Sequence, residues 1–203
     1  MKIIAIGRNY AAHAKELNNP VPGKPVIFLK PDTAVLKDNK PFYIPDFSKN
    51  IHFELEVVLK ISKEGKHIAE KFASKYYEEI GLGIDFTARD IQNEHKEKGL
   101  PWELAKAFDN SAAVSNFLPK EQFPDLSNLD FELKINDETR QQGNTSLMLF
   151  SYDYIISFVS QYITLKKGDL IFTGTPEGVG QVHPGDRLQG TLAGTELLNF
   201  EIK

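Results

Sequence analysis

Three carboxylates in this chain stand where an unpartnered charge is costly. Glu54 and Glu56 lie in the run Ile51-His52-Phe53-Glu54-Leu55-Glu56-Val57-Val58-Leu59. In a strand, alternate side chains share a face, so the two glutamates point one way while Phe53, Leu55 and Val57 point the other. Like charges side by side repel unless something positive lies between them. Asp85 sits near the end of a second apolar run, residues 80–86, where an ionised carboxylate is unfavourable unless paired or bound to a metal. Hard oxygen donors of this kind suit magnesium, manganese or calcium. Three of them would leave room on an octahedral ion for water and a chelating ligand. Each also has a plain structural reading: a solvated acidic strand face for Glu54 and Glu56, a turn or helix-cap residue for Asp85. Spacing alone does not bring the three together.

Other polar residues widen the set. His13 and Glu16 are three apart on an expected helix and so share a face. A histidine oriented by a carboxylate is a usual general-base pair, although the same spacing describes many surface pairs. Lys30 and Lys106 end apolar segments and could meet a substrate carboxylate, or could be solvated. Arg89, Gln92 and Thr175 are further candidates. The loop Thr173-Gly174-Thr175-Pro176-Glu177-Gly178-Val179-Gly180 matches neither GxxxxGK[ST] nor GxGxxG, so its glycines serve tight turns or close backbone approach rather than a nucleotide phosphate.

The elements that must position these residues are mostly short strands. Strands are expected over residues 3–6, 26–29, 53–61, 80–86, 129–135, 139–142, 170–173, 187–192 and 197–202, with Asn136-Asp137 as a hairpin turn. Helices are expected over 10–17, 70–77, 87–98 and 151–162. Thr87 is the expected N-cap of the third, with Asp90 three residues on as in a capping box, and Gly99 its stop. The breaker Asn18-Asn19-Pro20 ends the first helix, and residues 18–25 form a loop suited to movement. Many non-local strands and few helices imply an α+β, β-rich roll or sandwich. No linker divides residues 1–203; residues 1–50 could pack as an N-terminal lobe and lid on a body of residues 51–203.

Bulk properties narrow the class. The chain has 203 residues, 41% of them hydrophobic, enough for an ordinary core. Its formal net charge is −4, so neither nucleic acid nor an anionic membrane is an expected partner. No stretch approaches the ~18–20 apolar residues that span a bilayer, and the N-terminal apolar run stops at Gly7-Arg8, too short for a signal-peptide core. The absence of cysteine removes disulfides, thiolate metal sites and a cysteine nucleophile, and fits a cytoplasmic location.

Taken together, Gly7-Arg8-Asn9-Tyr10-Ala11-Ala12-His13, Phe28-Leu29-Lys30-Pro31, His52-Phe53-Glu54-Leu55-Glu56, Asp85-Phe86-Thr87-Ala88-Arg89-Asp90, Gly99-Leu100-Pro101-Trp102 with Ala105-Lys106, and the 173–180 loop resemble the fumarylacetoacetate hydrolase family. The resemblance runs almost end to end and is closest to the short single-domain branch of acylpyruvate hydrolases and oxaloacetate decarboxylases. It implies a mixed β-sandwich roll and a homodimer. It implies Glu54, Glu56 and Asp85 as ligands of Mg2+ or Mn2+, with Ca2+ able to substitute. It also implies a lid around His13 and Glu16 acting on water, and a pocket for a small 2-oxo acid formed by Arg8, Lys30, Arg89, Gln92, Lys106 and Thr175.

The expected activity is metal-dependent hydrolysis of the C–C bond of an acylpyruvate. His13, oriented by Glu16, would activate water, and Lys106 would stabilise the leaving enolate. Oxaloacetate decarboxylation could share the site. The alternatives are a 2-hydroxydienoate isomerase or decarboxylase, an oxaloacetate tautomerase, or, from another class, a non-catalytic β module holding structural calcium.

Overall fold

Short β-branched runs punctuated by Gly, Pro, Asn and Asp fold into strands wherever a partner strand can satisfy their backbone. The computed structural model describes residues 1–17 and 19–203. The part of the expected breaker and loop that falls on Asn18 lies outside the described residues. In chain order the elements are β1 (Ile3–Gly7), α1 (Ala11–Glu16), β2 (Val26–Lys30), β3 (Val35–Leu36), β4 (Ile51–Phe53), β5 (Leu55–Ile61), α2 (Glu70–Ala73), β6 (Tyr77–Asp85) and β7 (Thr87–Ala88). Then come α3 (Arg89–Lys98), α4 (Glu103–Lys106), β8 (Ala112–Val114), β9 (Leu118–Pro119), β10 (Asp130–Ile135), β11 (Glu138–Asn144) and α5 (Tyr152–Tyr162). The chain closes with β12 (Leu170–Phe172), β13 (Gly180–Gln181), β14 (Arg187–Leu192) and β15 (Thr195–Glu201).

The strands form a mixed sheet in the order β2-β1-β12-β5-β6-β8-β3 with β9 also on β6, a sheet β11-β10-β14-β15, and a small sheet β13-β4-β7. The first is mixed because β1 runs parallel to β12 and β3 parallel to β8. The main core lies between the first two sheets. Leu55, Val57, Leu59, Leu82 and Ile84 from the first meet Leu133, Leu188, Leu198 and Phe200 from the second. Phe86 stacks on Phe42 at 3.9 Å and meets Phe200 edge-on at 6.3 Å. A smaller cluster around Ile3, Ala5, Val58, Leu170 and Phe172 fills the opposite face of the large sheet. The architecture is the α+β, strand-rich sandwich roll that the sequence pattern implies.

Several expectations need correction. The strand expected over 53–61 divides at Glu54, because the chain leaves the small sheet there and enters the large one. The helix expected over 70–77 stops at Ala73; Tyr77 instead pairs with Ile61 and packs its ring against Tyr152 at 6.2 Å. Thr87 is not a cap. The cap position of α3 is Ala88, without a side-chain hydrogen bond, and Thr87 lies in β7 paired with His52. The Asp90 carboxylate turns outward and accepts hydrogen bonds from Ser48 Oγ, Lys49 N and Ile91 N. The strands of residues 1–50 are woven into the main sheets, β1 and β2 beside β12 and β3 beside β8, rather than folded apart as a lobe. The hairpin at Asn136-Asp137 is as expected, with both residues at positive φ, 53° and 65°.

Candidate active site

The register of β5 against β6 assembles the carboxylates. Leu55 pairs with Ile84 and Glu56 with Gly83, and Asp85 N donates to Glu54 O at 2.8 Å. Leu55, Val57, Leu82 and Ile84 face the core, so Glu54, Glu56 and Asp85 share the opposite face of the strand pair. One oxygen from each lies within 4.8 Å of the others, and all three side chains are buried. Gly83, opposite Glu56, leaves room for Phe172: a Cβ there would meet its ring at 2.5 Å.

Cations balance two of the three acids. Lys106 Nζ, at the end of α4, donates to Glu54 Oε2 at 2.8 Å, Asp85 Oδ2 at 2.6 Å and Thr87 Oγ1 at 2.6 Å. Lys30 Nζ, at the end of β2, lies 2.5 Å from Asp85 Oδ1 and donates to Ser111 O at 2.8 Å. Arg89 donates to Glu54 Oε1 and to Gln92 Oε1, each at 2.5 Å. Among the described residues Glu56 accepts one hydrogen bond, from Gly174 N at 2.6 Å.

The electrostatics follow from this pairing. Burial alone would raise the Glu54 carboxyl, but Lys106 and Arg89 outweigh it and hold the group well below the usual carboxylate range. Burial, then repulsion from Asp85, pushes Glu56 well above that range. Burial pulls both lysines down. For Lys106 the attraction of Asp85 and Glu54 more than offsets this and raises it; for Lys30 burial wins and the ammonium is lowered despite Asp85.

This donor set fits a hard divalent cation. Three converging carboxylates are the ligand chemistry of Mg2+ or Mn2+. Glu56, buried against two other acids with a single backbone donor, is the oxygen most in need of a positive partner. The triad could therefore bind a metal.

Most of the remaining expected residues line the same cleft. It holds about 410 Å³ including its open mouth, and its walls include Arg8, His13, Arg89, Gln92, Lys106 and Thr175 around the triad. Lys30 lies behind it, fully buried, against Asp85 and Ser111. His13 Nδ1 is 3.3 Å from Glu16 Oε2, while Glu16 Oε1 accepts from Gly178 N at 3.0 Å, which ties α1 to the 173–180 loop. Gln141 Nε2 donates to Thr175 Oγ1 at 2.8 Å, and its Oε1 accepts from Leu55 N at 2.8 Å. Sequence reasoning did not single out Gln141, which couples the second sheet to the site. Nor did it single out Asn9, whose side chain donates to Thr173 O and Phe150 O and accepts from Phe150 N. Lys96 was also missed. It lines the cleft as the third member of Arg89, Gln92 and Lys96, a 3–4 spacing that marks one helical face.

The fold and the site belong to a defined class. Residues 2–202 match the family described as fumarylacetoacetate (FAA) hydrolase C-terminal, and the chain belongs to that family. It is 46% identical over 201 residues to the mitochondrial oxaloacetate tautomerase FAHD1 of Bos taurus, covering 99% of this chain and 91% of that one. It is 41% identical over 203 residues to the mitochondrial oxaloacetate decarboxylase of Dictyostelium discoideum, covering 99% and 93%. Fumarylpyruvate hydrolase from Pseudomonas aeruginosa, solved with Mn2+ and pyruvate, superimposes with a TM-score of 0.94 at 35% identity, covering 100% of this chain and 89% of that one. No described helix is long and apolar enough to cross a membrane.

Proposed function

We propose that this protein is a divalent-metal-dependent enzyme acting on oxaloacetate, interconverting its keto and enol forms and decarboxylating it at the same site. The observation that carries the reading is the buried Glu54, Glu56 and Asp85 cluster, flanked by Lys106 and Lys30, with His13 across the cleft. The names of the tautomerase and decarboxylase relatives favour this substrate over a simple acylpyruvate. Magnesium or manganese is the proposed metal; Mn2+ accompanies pyruvate in the P. aeruginosa hydrolase.

A bound divalent ion would supply Lewis-acid stabilisation of negative charge on the 2-oxo oxygen, worth several kcal/mol. The chain's own residues do the rest. Arg89 and Gln92 orient the substrate carboxylate from α3, and Thr175, held by Gln141, fixes its other side. The Lys106 ammonium sets positive charge where the enolate develops. His13, its Nδ1 held by Glu16, takes the proton from C3 and passes it to the 2-oxo oxygen to give the enol, and the same transfers reversed restore the keto form. In decarboxylation the C3–C4 bond breaks instead, CO2 leaves, and the enolate is protonated at C3.

Hydrolysis of an acylpyruvate is the second reading. It is favoured by the His13–Glu16 pair, which is suited to activating water, and by the likeness to fumarylpyruvate hydrolase. The test is a substrate panel with Mg2+-loaded protein: oxaloacetate followed by enol absorbance and CO2 release, and fumarylpyruvate and acetylpyruvate followed by ultraviolet loss. The fastest turnover is expected with oxaloacetate. Faster cleavage of either acylpyruvate would select hydrolysis, and no turnover of any 2-oxo acid would reject the enzyme reading.

A further inference from the structure

Two of the four lysine and arginine side chains that line the cleft are already engaged by its acids. Arg89 pairs with Glu54, and Lys106 with Glu54 and Asp85; behind the wall, Lys30 pairs with Asp85. Arg8 and Lys96 line the same cleft, are half-buried, and have no carboxylate partner among the described residues. Two half-buried like charges without an acid between them are unfavourable unless an anion joins them.

Their placement is built rather than incidental. Lys96 lies two turns beyond Arg89 on the same face of α3, about 10 Å along the axis at 1.5 Å per residue. Its Nζ lies 5.9 Å from the centre of the Trp102 ring; Trp102 meets Phe28 edge-on at 5.9 Å; and Phe28 lies 5.1 Å from Lys106 Nζ. One aromatic wall thus holds a lysine against each of its two rings, Lys106 at the carboxylate cluster and Lys96 at the other ring. Arg8 follows Gly7, which lies against Trp102. Its φ of 63° is a left-handed conformation that non-glycine residues seldom adopt. The adjacent Asn9, buried and hydrogen-bonded to Thr173 and Phe150, holds the turn in that conformation.

We propose that Lys96 and Arg8 form a second anion subsite at the far end of the cleft, which selects 2-oxo acids that carry a second carboxylate. This rests on the reading above that the carboxylate cluster receives the 2-oxo acid end of the substrate. A 2-oxo diacid with that end at the cluster directs its other carboxylate along the Phe28–Trp102 wall, on the side where Lys96 stands. A monocarboxylic acylpyruvate offers nothing for Lys96 to bind. Burial, together with Arg89 and Arg8, lowers the Lys96 ammonium to about 8, as expected of a cation that lacks its partner.

The test uses Mg2+-loaded protein and its Lys96→Gln and Lys96→Arg variants. Binding of 2-oxoglutarate and of 2-oxopentanoate, a pair differing only in the distal carboxylate, is measured by calorimetry. KM and kcat are measured with oxaloacetate and acetylpyruvate. Wild type is expected to prefer 2-oxoglutarate. Lys96→Gln is expected to weaken 2-oxoglutarate binding and raise the oxaloacetate KM by at least about ten-fold, with 2-oxopentanoate binding and the acetylpyruvate KM unchanged. Lys96→Arg is expected to restore most of the loss. Equal weakening of both acids, no change in either, or no wild-type preference for 2-oxoglutarate would overturn the subsite. Absence of turnover by wild type, with the binding preference intact and lost in Lys96→Gln, would instead reject the enzymatic reading and keep the subsite.

Discussion

His13 is the residue on which the choice of reaction turns. Its ring is buried, and its Nδ1 is held by Glu16, which is itself anchored to Gly178 N. That arrangement leaves Nε2 as the nitrogen free to move a proton. Hydrolysis needs a base for water, whereas loss of CO2 needs only charge stabilisation at the enolate, a task for Lys106. Replacing His13 with alanine is therefore expected to cut acylpyruvate hydrolysis by about 10²–10⁴-fold and oxaloacetate decarboxylation by less than ten-fold. Equal losses in both, measured on one preparation, would remove His13 from the role of base. The carboxylates at this scale were legible because charge in an apolar strand is conspicuous. Lys96 was not, because the charge-rich stretch Asn93-Glu94-His95-Lys96-Glu97-Lys98 hides which of its residues turns inward. Thr87 was misread for a related reason: a threonine before a helix signals a cap, yet its Oγ1 receives the Lys106 ammonium and donates to Asp85 O.

Among the elements, the loop between β12 and β13 closes the site. Gly174 has φ +103°, and a Cβ there would lie 2.6 Å from Asn9 Cβ. The same residue's N–H is the donor to Glu56. Gly174→Ala would force the loop away from both Asn9 and Glu56. It is expected to cost about 1–3 kcal/mol of stability, read by urea unfolding, and to lower kcat on oxaloacetate well beyond the effect of Gly168→Ala, whose Cβ would meet nothing within 4 Å. Equal effects at the two glycines would contradict this role for the loop. The sequence pattern left the loop glycines to tight turns or to close backbone approach to a ligand, and did not point to Asn9 or Glu56. It did not reveal that the run through Glu54 changes sheets, since alternation of apolar residues continues across the break. Nor did it end α2 at Ala73, where tertiary pairing of Tyr77 with Ile61 overrides local helical preference.

For the whole molecule, the two-sheet sandwich buries an apolar core on one face of β5 and β6 and leaves their other face to the acids. The β-rich class and the hairpin at Asn136-Asp137 could be read from alternation and turn residues. Among the two- and three-residue strands, β12 could be read from its apolar run between turn residues, whereas β3, β7, β8, β9 and β13 could not, because they carry no period of their own and exist only through their partners. In the proposed enzyme this face holds one divalent ion through Glu54, Glu56 and Asp85. The most direct measurement is titration of metal-stripped protein with Mn2+, counting bound ion by electron paramagnetic resonance and following oxaloacetate turnover on the same samples. One ion per chain is expected, with turnover rising in step with occupancy, and with both lost in Glu56→Gln while circular dichroism remains that of the folded protein. Full turnover by the metal-stripped protein, or unchanged Mn2+ binding in Glu56→Gln, would contradict it.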